Sequence, residues 1–156
     1  GGGAASAICV QAALDGLKEI RVFNIKDQFY GRLEKLTANI TARTSCKVTL
    51  HDLSDERALY DSIETSDILT NGTSVGMAPN TDACLIKNTD IFRKELIVSD
   101  VIYNPEQTKL LKLASEKGCP TFNGLYMLLY QGAAAFKIWT GQDMPVDIIK
   151  EKYFTR

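Results

Sequence analysis

The chain opens on Gly1-Gly2-Gly3-Ala4-Ala5-Ser6 and continues as an apolar run to Leu14. Gly1-x-Gly3-x-x-Ser6 loosely fits a glycine-rich turn that leads into a helix, with Ser in the place of a third glycine. Glycine lets a backbone turn tightly and approach a phosphate closely. The free N–H groups of the following helical turn, which carry about half a positive charge, then bind it. The motif is ambiguous alone, since a tract of three glycines is also a common added leader, and the strand that should precede it is absent from the sequence. A dinucleotide site further wants a carboxylate about 20 residues on, at the end of the next strand, to accept the ribose hydroxyls. Asp27 stands there, after Phe23-Asn24-Ile25-Lys26. It is equally placed to cap a helix starting at Gln28, and one carboxylate can do both.

Other chemistries find little support. A single histidine, His51, ends an apolar alternation, where a satisfied strand-end histidine is expected rather than a catalytic one. Cys9, Cys46, Cys84 and Cys119 lie far apart with no C-x-x-C pair, which argues against a structural zinc and for a reducing, cytoplasmic setting. No Ser-His-Asp or Cys-His set, P-loop or metal-ligand spacing stands out, so neither a catalytic residue nor a metal ligand is expected within these residues. The formal net charge of −1 gives no electrostatic case for nucleic acid or an anionic membrane. No apolar run approaches the roughly 20 residues that span a bilayer.

Elements that could position these residues alternate along the chain. Helices are expected over Ala4–Leu14 with a stop at Gly16, Gln28–Ala42, Ser54–Ile63 with Ser54 as its cap, Glu106–Lys117 ended by Gly118, Leu125–Trp139 stopped by Gly141, and Pro145–Tyr153. Strands are expected over Ile20–Phe23, Lys47–Leu50, Asp67–Thr70, Leu96–Tyr103 (the longest) and Thr121–Phe122. Alternation at this spacing implies βαβ units, hence an α/β doubly wound, Rossmann-like fold with a mostly parallel sheet and helices on both faces. Its first strand is expected before Gly1, so the chain reads as truncated there. Ligands of open α/β sheets lie beyond the carboxyl ends of the strands. That makes Asn71, Gly72, Thr73 and Ser74, and Asn104 with Pro105, candidates to line the site.

Several blocks now resemble one family. Gly1–Ser6, Phe23-Asn24, Thr70-Asn71-Gly72-Thr73-Ser74-Val75-Gly76-Met77, Val101-Ile102-Tyr103-Asn104-Pro105-x-x-Thr108-Lys109-Leu110-Leu111 and Asn123-Gly124-x-x-Met127-Leu128-x-x-Gln131-Gly132-Ala133, followed by Phe136 and Trp139-Thr140-Gly141, are similar to the C-terminal domain of shikimate dehydrogenases. The likeness is greatest to the quinate/shikimate branch. The resemblance implies an oxidoreductase that moves hydride between NAD(P) and the ring carbinol of shikimate or quinate. Residues 1–156 would then be its cofactor domain, with helices 125–153 packing back toward an N-terminal substrate domain. That second domain, outside this sequence, would supply the proton-transferring Lys and Asp, so the chain alone is expected to be inactive.

Carried over by position, Gly2, Gly3, Ala4 and Ala5 would cradle the pyrophosphate and Asn24, Ile25, Lys26 and Asp27 would hold the adenosine ribose. Ser74, Val101, Ile102, Tyr103 and Asn104 would line the cofactor channel, and Gly124 would approach the nicotinamide amide through its backbone. Gln131 would hydrogen-bond the substrate, with Tyr103 at the junction of the two ligands. Met127, Leu128, Ala134, Phe136 and Trp139 are expected in the core instead. Three positions depart from the family pattern: Ile25 replaces an Arg, and Ala4 and Tyr126 each replace a glycine. The first disfavours NADP, so NAD is the expected cofactor with NADP as the alternative. A homodimer is compatible with this reading. The rivals are another Rossmann-domain enzyme, whether reductase or methyltransferase, and a nucleotide-binding regulatory module without catalysis.

Overall fold

The computed structural model describes residues 1–154; Thr155 and Arg156, which close the expected domain, lie outside the described residues. The element order is α1 (Gly3–Leu14), β1 (Glu19–Asn24), α2 (Tyr30–Arg43), β2 (Lys47–Asp52), α3 (Glu56–Glu64), β3 (Ile68–Asn71), a 3₁₀ turn (Thr89–Ile91), β4 (Ile97–Asp100), α4 (Lys109–Glu116), β5 (Thr121–Phe122), α5 (Leu125–Thr140) and α6 (Val146–Tyr153). Every ladder is parallel, as the alternation of elements demands. β1 runs beside β2 from Glu19↔Lys47 to Asn24↔Asp52, and β4 lies between β3 and β5.

The strands form two ladders, β1-β2 and β3-β4-β5, rather than one. Between them runs a groove of about 960 Å³, bordered by residues of β1 and β3 and by Ile8, Cys9 and Ala12 of α1. Arg21 crosses at its lower end, donating from Nη1 to Ser62 O (3.1 Å) and Thr65 Oγ1 (2.7 Å).

Helices cover both faces, and β1 shows why. Ile20 and Val22 pack with Cys9 and Ala13 of α1, Leu36 and Ile40 of α2, and Cys46 and Val48. Phe23, one step along the pleat, joins the opposite core with Leu59 and Ile63 of α3, Val98 of β4 and Leu110, Leu111 and Ala114 of α4. Leu96 and Val98 are completely buried. Each such side chain contributes about 1.5–3 kcal/mol by leaving water.

Several expected boundaries move. The strand expected over Leu96–Tyr103 ends at Asp100, because Asp100 turns its own carboxyl onto Ile102 N (3.0 Å) and breaks the pleat. The helix expected from Glu106 begins at Lys109, where Thr108 Oγ1 accepts from Leu111 N (3.4 Å) and supplies the cap. Ser54 is not the cap of α3. Its N–H is taken by Asp52 Oδ1 (2.9 Å), and Asp55 Oδ1 caps Ala58 N (3.0 Å) instead. Gln28 falls in a turn, and α2 starts at Tyr30.

α5 runs as expected and stops at Gly141, whose φ of 72° is the left-handed geometry that glycine tolerates. Its side chains correct the expectation of core packing. Leu129 is the buried residue of α5, whereas Met127, Leu128 and Ala134 are exposed and Trp139 is 82% exposed; Phe136 is half-buried. An apolar helix can stay this exposed when only one side of it meets other elements. α5 is met by α6, where Tyr126 stacks on Tyr130 and meets Phe154 (5.5 Å between centroids), and Lys150 Nζ lies over both tyrosine rings. Tyr126, unexplained by sequence, therefore fastens α6 to α5.

Candidate functional site

The cofactor positions expected from sequence, though not Gln131, lie around the carboxyl ends of the strands. Gly2 is the extended residue before α1, and Gly3, Ala4 and Ala5 form its first turn, so Ala4 sits in helical backbone where a glycine is not needed. No side chain caps this end and no acidic residue lies in its first turn. Its N–H groups and its positive pole are therefore open to an anion. Nothing lies within 4 Å of where a Cβ would stand on Gly2 or Gly3, so protein packing does not require glycine there. The neighbourhood of the pole is fixed by packing: a Cβ on Gly72, just beyond β3, would stand 2.9 Å from the Ala5 Cβ.

The end of β1 sits beside this turn, with the Gly1 amino group donating to Asn24 Oδ1 (2.6 Å) and Asn24 Nδ2 to Ile25 O (2.7 Å). Asp27 forms a turn ahead of α2 rather than capping it: its Oδ1 accepts from Phe29 N (2.9 Å) and its carbonyl from Tyr30 N (3.1 Å), while Phe29 holds the cap position without a side-chain bond. One carboxylate oxygen is left over for another partner. Lys26 Nζ lies 3.3 Å from Asp52. The Ser54 N–H and hydroxyl, and then Lys26, hold the Asp52 carboxyl below its ordinary pKa. Ile25 is exposed.

Beyond β3 and β4 lies a cleft of about 370 Å³ lined by Thr73, Ser74, Met77, Ala78, Val101, Ile102, Tyr103 and Asn104. It brings together all five residues assigned to the channel. Gly124 stands behind its wall: a Cβ there would come within 1.9 Å of Val101 O, and its N–H donates to Ile102 O (2.9 Å). Glycine is obligatory at 124 because backbone lies directly on backbone. Gln131 is not drawn into the cleft. It is exposed on α5, with Nε2 donating to Leu128 O (3.2 Å) of its own helix.

The remaining candidates are structurally accounted for. His51 stacks on Phe23 (4.9 Å) and lies 2.9 Å from Thr49 Oγ1, a satisfied ring. Burial pushes the pKa of all four free thiols up, which keeps them from acting as thiolate nucleophiles. Sequence reasoning missed Met77 and Ala78 on the cleft, and missed Asp100 and Thr108 behind it. For Asp100 a signal existed: a lone acid in an otherwise apolar strand must find donors.

Comparison with known proteins agrees with this geometry. Residues 124–152 match the shikimate 5'-dehydrogenase C-terminal domain. A relative named shikimate dehydrogenase (NADP(+)), from Listeria monocytogenes serotype 4b, is 54% identical over 153 residues, which is 98% of this chain and 53% of that protein. The crystal structure of L. monocytogenes shikimate 5-dehydrogenase in complex with shikimate and NAD superimposes with a TM-score of 0.90 at 55% identity, over 96% of this chain and 52% of that one. Quinate dehydrogenase from Corynebacterium glutamicum in complex with NAD gives 0.82 at 27% identity, over 99% and 52%. The chain thus spans about half the length of the proteins it matches. With an α/β parallel fold, an open α1 terminus beside β1 and likeness along nearly all its length, the chain is similar to one half of the shikimate dehydrogenases it matches.

Proposed function

We propose that this chain is the NAD(P)-binding part of an enzyme that transfers hydride between the cofactor and a ring carbinol of shikimate or quinate. The observation that carries it is the convergence of an uncapped helix terminus, the Asn24–Asp27 turn and the cleft at one end of the strands. The α1 terminus offers N–H groups and positive charge to a pyrophosphate. Asn24 and Asp27 offer acceptors to the adenosine ribose, and the cleft beyond them takes the nicotinamide half. Ser74, Val101, Ile102, Tyr103 and Asn104 form that cleft, with Gly124 behind it. Once bound, the nicotinamide supplies the hydride acceptor; the residues of this chain only hold and orient it.

NAD fits better than NADP, since exposed Ile25 brings no charge to a 2′-phosphate and Asp27 would repel one. The relatives bracket this choice, one being named for NADP(+) and the other solved with NAD. Residues 1–156 serve as one cofactor domain. A substrate domain carrying the proton-transferring groups packs against α5, whose exposed Met127, Leu128, Ile138 and Trp139 form an apolar face suited to it. Gln131 on that helix meets the substrate from there, with Tyr103 at the junction. Free thiols fit a cytoplasmic setting, and a homodimer is compatible with the surface left over.

The test is direct. Titrating NAD and NADP against the chain by calorimetry should show binding, stronger for NAD. Gly3→Asp, which puts a negative charge at the helix pole, should abolish it. Shikimate- or quinate-dependent reduction of NAD should be absent from the chain alone. Failure of both dinucleotides to bind would overturn the assignment.

A further inference from the structure

We propose that Asp100 is a positioning residue whose buried carboxyl group clamps together the two loops that form the cleft. The proposal rests on the function given above. Asp100 ends β4, is 3% exposed and does not line the cleft. Its oxygens receive Asn71 Nδ2 (3.2 and 3.1 Å) from the end of β3, Ile102 N (3.0 Å) from the loop after β4, and Thr108 Oγ1 (2.8 Å) from the cap of α4. One carboxyl therefore ties three separate stretches of chain.

Each tie continues into the cleft wall. The amide of Asn71 also donates to Val75 O (3.1 Å), and its Oδ1 accepts from Thr73 N (3.0 Å) and Thr73 Oγ1 (2.7 Å), fixing the loop that carries Thr73 and Ser74. Asn71 O accepts from Val101 N (3.1 Å), and Ile102 O accepts from Gly124 N (2.9 Å), so the opposite wall is held on two sides. Four of the eight lining residues come from each loop. The spacing between Ser74 and Tyr103 is thus set by Asn71, Asp100 and Thr108, none of which lines the cleft. Buried and wholly satisfied by neutral donors, the carboxyl has no role in the fold's ion pairs among the described residues. A network of this kind holds only while every member is paired.

None of the clamp's hydrogen bonds reaches α1, and that makes the idea testable. Asp100→Asn turns one acceptor into a donor that faces the Asn71 amide; Thr108→Val deletes the tie to Asp100 together with the cap of α4, and Thr108→Ser keeps both. Binding of NADH, by fluorescence titration, and of ADP, by calorimetry, is measured on the full chain, with circular dichroism as the check of fold. We expect Asp100→Asn and Thr108→Val to weaken NADH roughly 3- to 30-fold, one or two hydrogen bonds' worth. ADP should change less than about 2-fold in the same variants, and Thr108→Ser should match the parent. If Asp100→Asn fails to fold, the Thr108 pair decides alone. Unchanged NADH affinity in the folded variants overturns the proposal, as does equal weakening of NADH and ADP, which marks a merely structural role. Failure of the parent chain to bind either ligand removes the cofactor reading itself, and the clamp's function with it.

Discussion

Gly124→Ala is the substitution whose outcome the packing specifies most sharply. The backbone of Gly124 (φ −78°, ψ 4°) is open to any residue, and at this N-cap position alanine is only somewhat less favoured than glycine, so local preference alone predicts a small loss. Packing predicts a far larger one. The added methyl would stand 1.9 Å from Val101 O, 2.4 Å from Val101 C and 3.2 Å from Ile102 C. To reach even a 3.0 Å contact the two backbones must part by about 1 Å, and the atoms in the way belong to main chain, which cannot rotate aside. Parting them breaks the Gly124 N–H bond to Ile102 O, worth about 0.5–1.5 kcal/mol, in addition to an overpacking cost of about 1–3 kcal/mol. We expect a loss of about 2–4 kcal/mol, read as a lower urea midpoint at unchanged slope. Gly132→Ala, in the same helix with nothing within 4 Å of the new methyl, should instead gain about 0.5–1 kcal/mol. If both substitutions stabilise, the close approach of α5 to the Val101–Ile102 peptide is not real.

Further outcomes follow from the site. Asp27→Ser keeps an acceptor for Phe29 N while removing the charge, so in the full-length enzyme the ratio of kcat/KM for NADP over NAD should rise; an unchanged ratio would reduce Asp27 to a turn former. Gln131→Ala in the full-length enzyme should lower kcat/KM for the polyol roughly 3- to 100-fold. Cofactor affinity should barely change, and weakened cofactor binding with normal polyol kinetics would put Gln131 on the other ligand. The pKa of Asp52 is depressed on folding, so its ionised form stabilises the fold above its unfolded pKa, and this contribution is lost as pH falls through the lower folded value. The stability gap between the parent and Asp52→Asn should therefore close in acid titrations below about pH 4, and a gap independent of pH would refute the assignment.

The alternation of elements and the glycine-led helix were legible because each rests on local chemistry: period, caps and breakers. The two-ladder sheet was not, since hydrogen bonding between strands distant in sequence leaves no mark on either. The end of β4 was misplaced by three residues because Val101, Ile102 and Tyr103 are as strand-like as any, and only the carboxyl of Asp100 reaching forward to Ile102 N stops the pleat. The exposure of Trp139 was likewise beyond reach. Composition says that an apolar side chain prefers cover, and cannot say whether the same chain supplies it. The cleft was largely readable, since five of its eight lining residues were assigned to the cofactor channel, whereas its supports were not.

The groove between β1 and β3 has a consequence for the rate at which backbone protons are traded with solvent. Lys47 N bonds Lys18 O and Leu53 N bonds Asn24 O, so in β1 the even-numbered residues serve β2, and Glu19, Arg21 and Phe23 turn their amides to the groove. Ile97 N bonds Asp67 O and Val101 N bonds Asn71 O, which likewise turns Ile68 and Thr70 of β3 inward. Deuterium should therefore enter these two strands at every second position. Fast exchange should alternate with slow along a single strand, and the fast positions would become slow only when another backbone fills the space between.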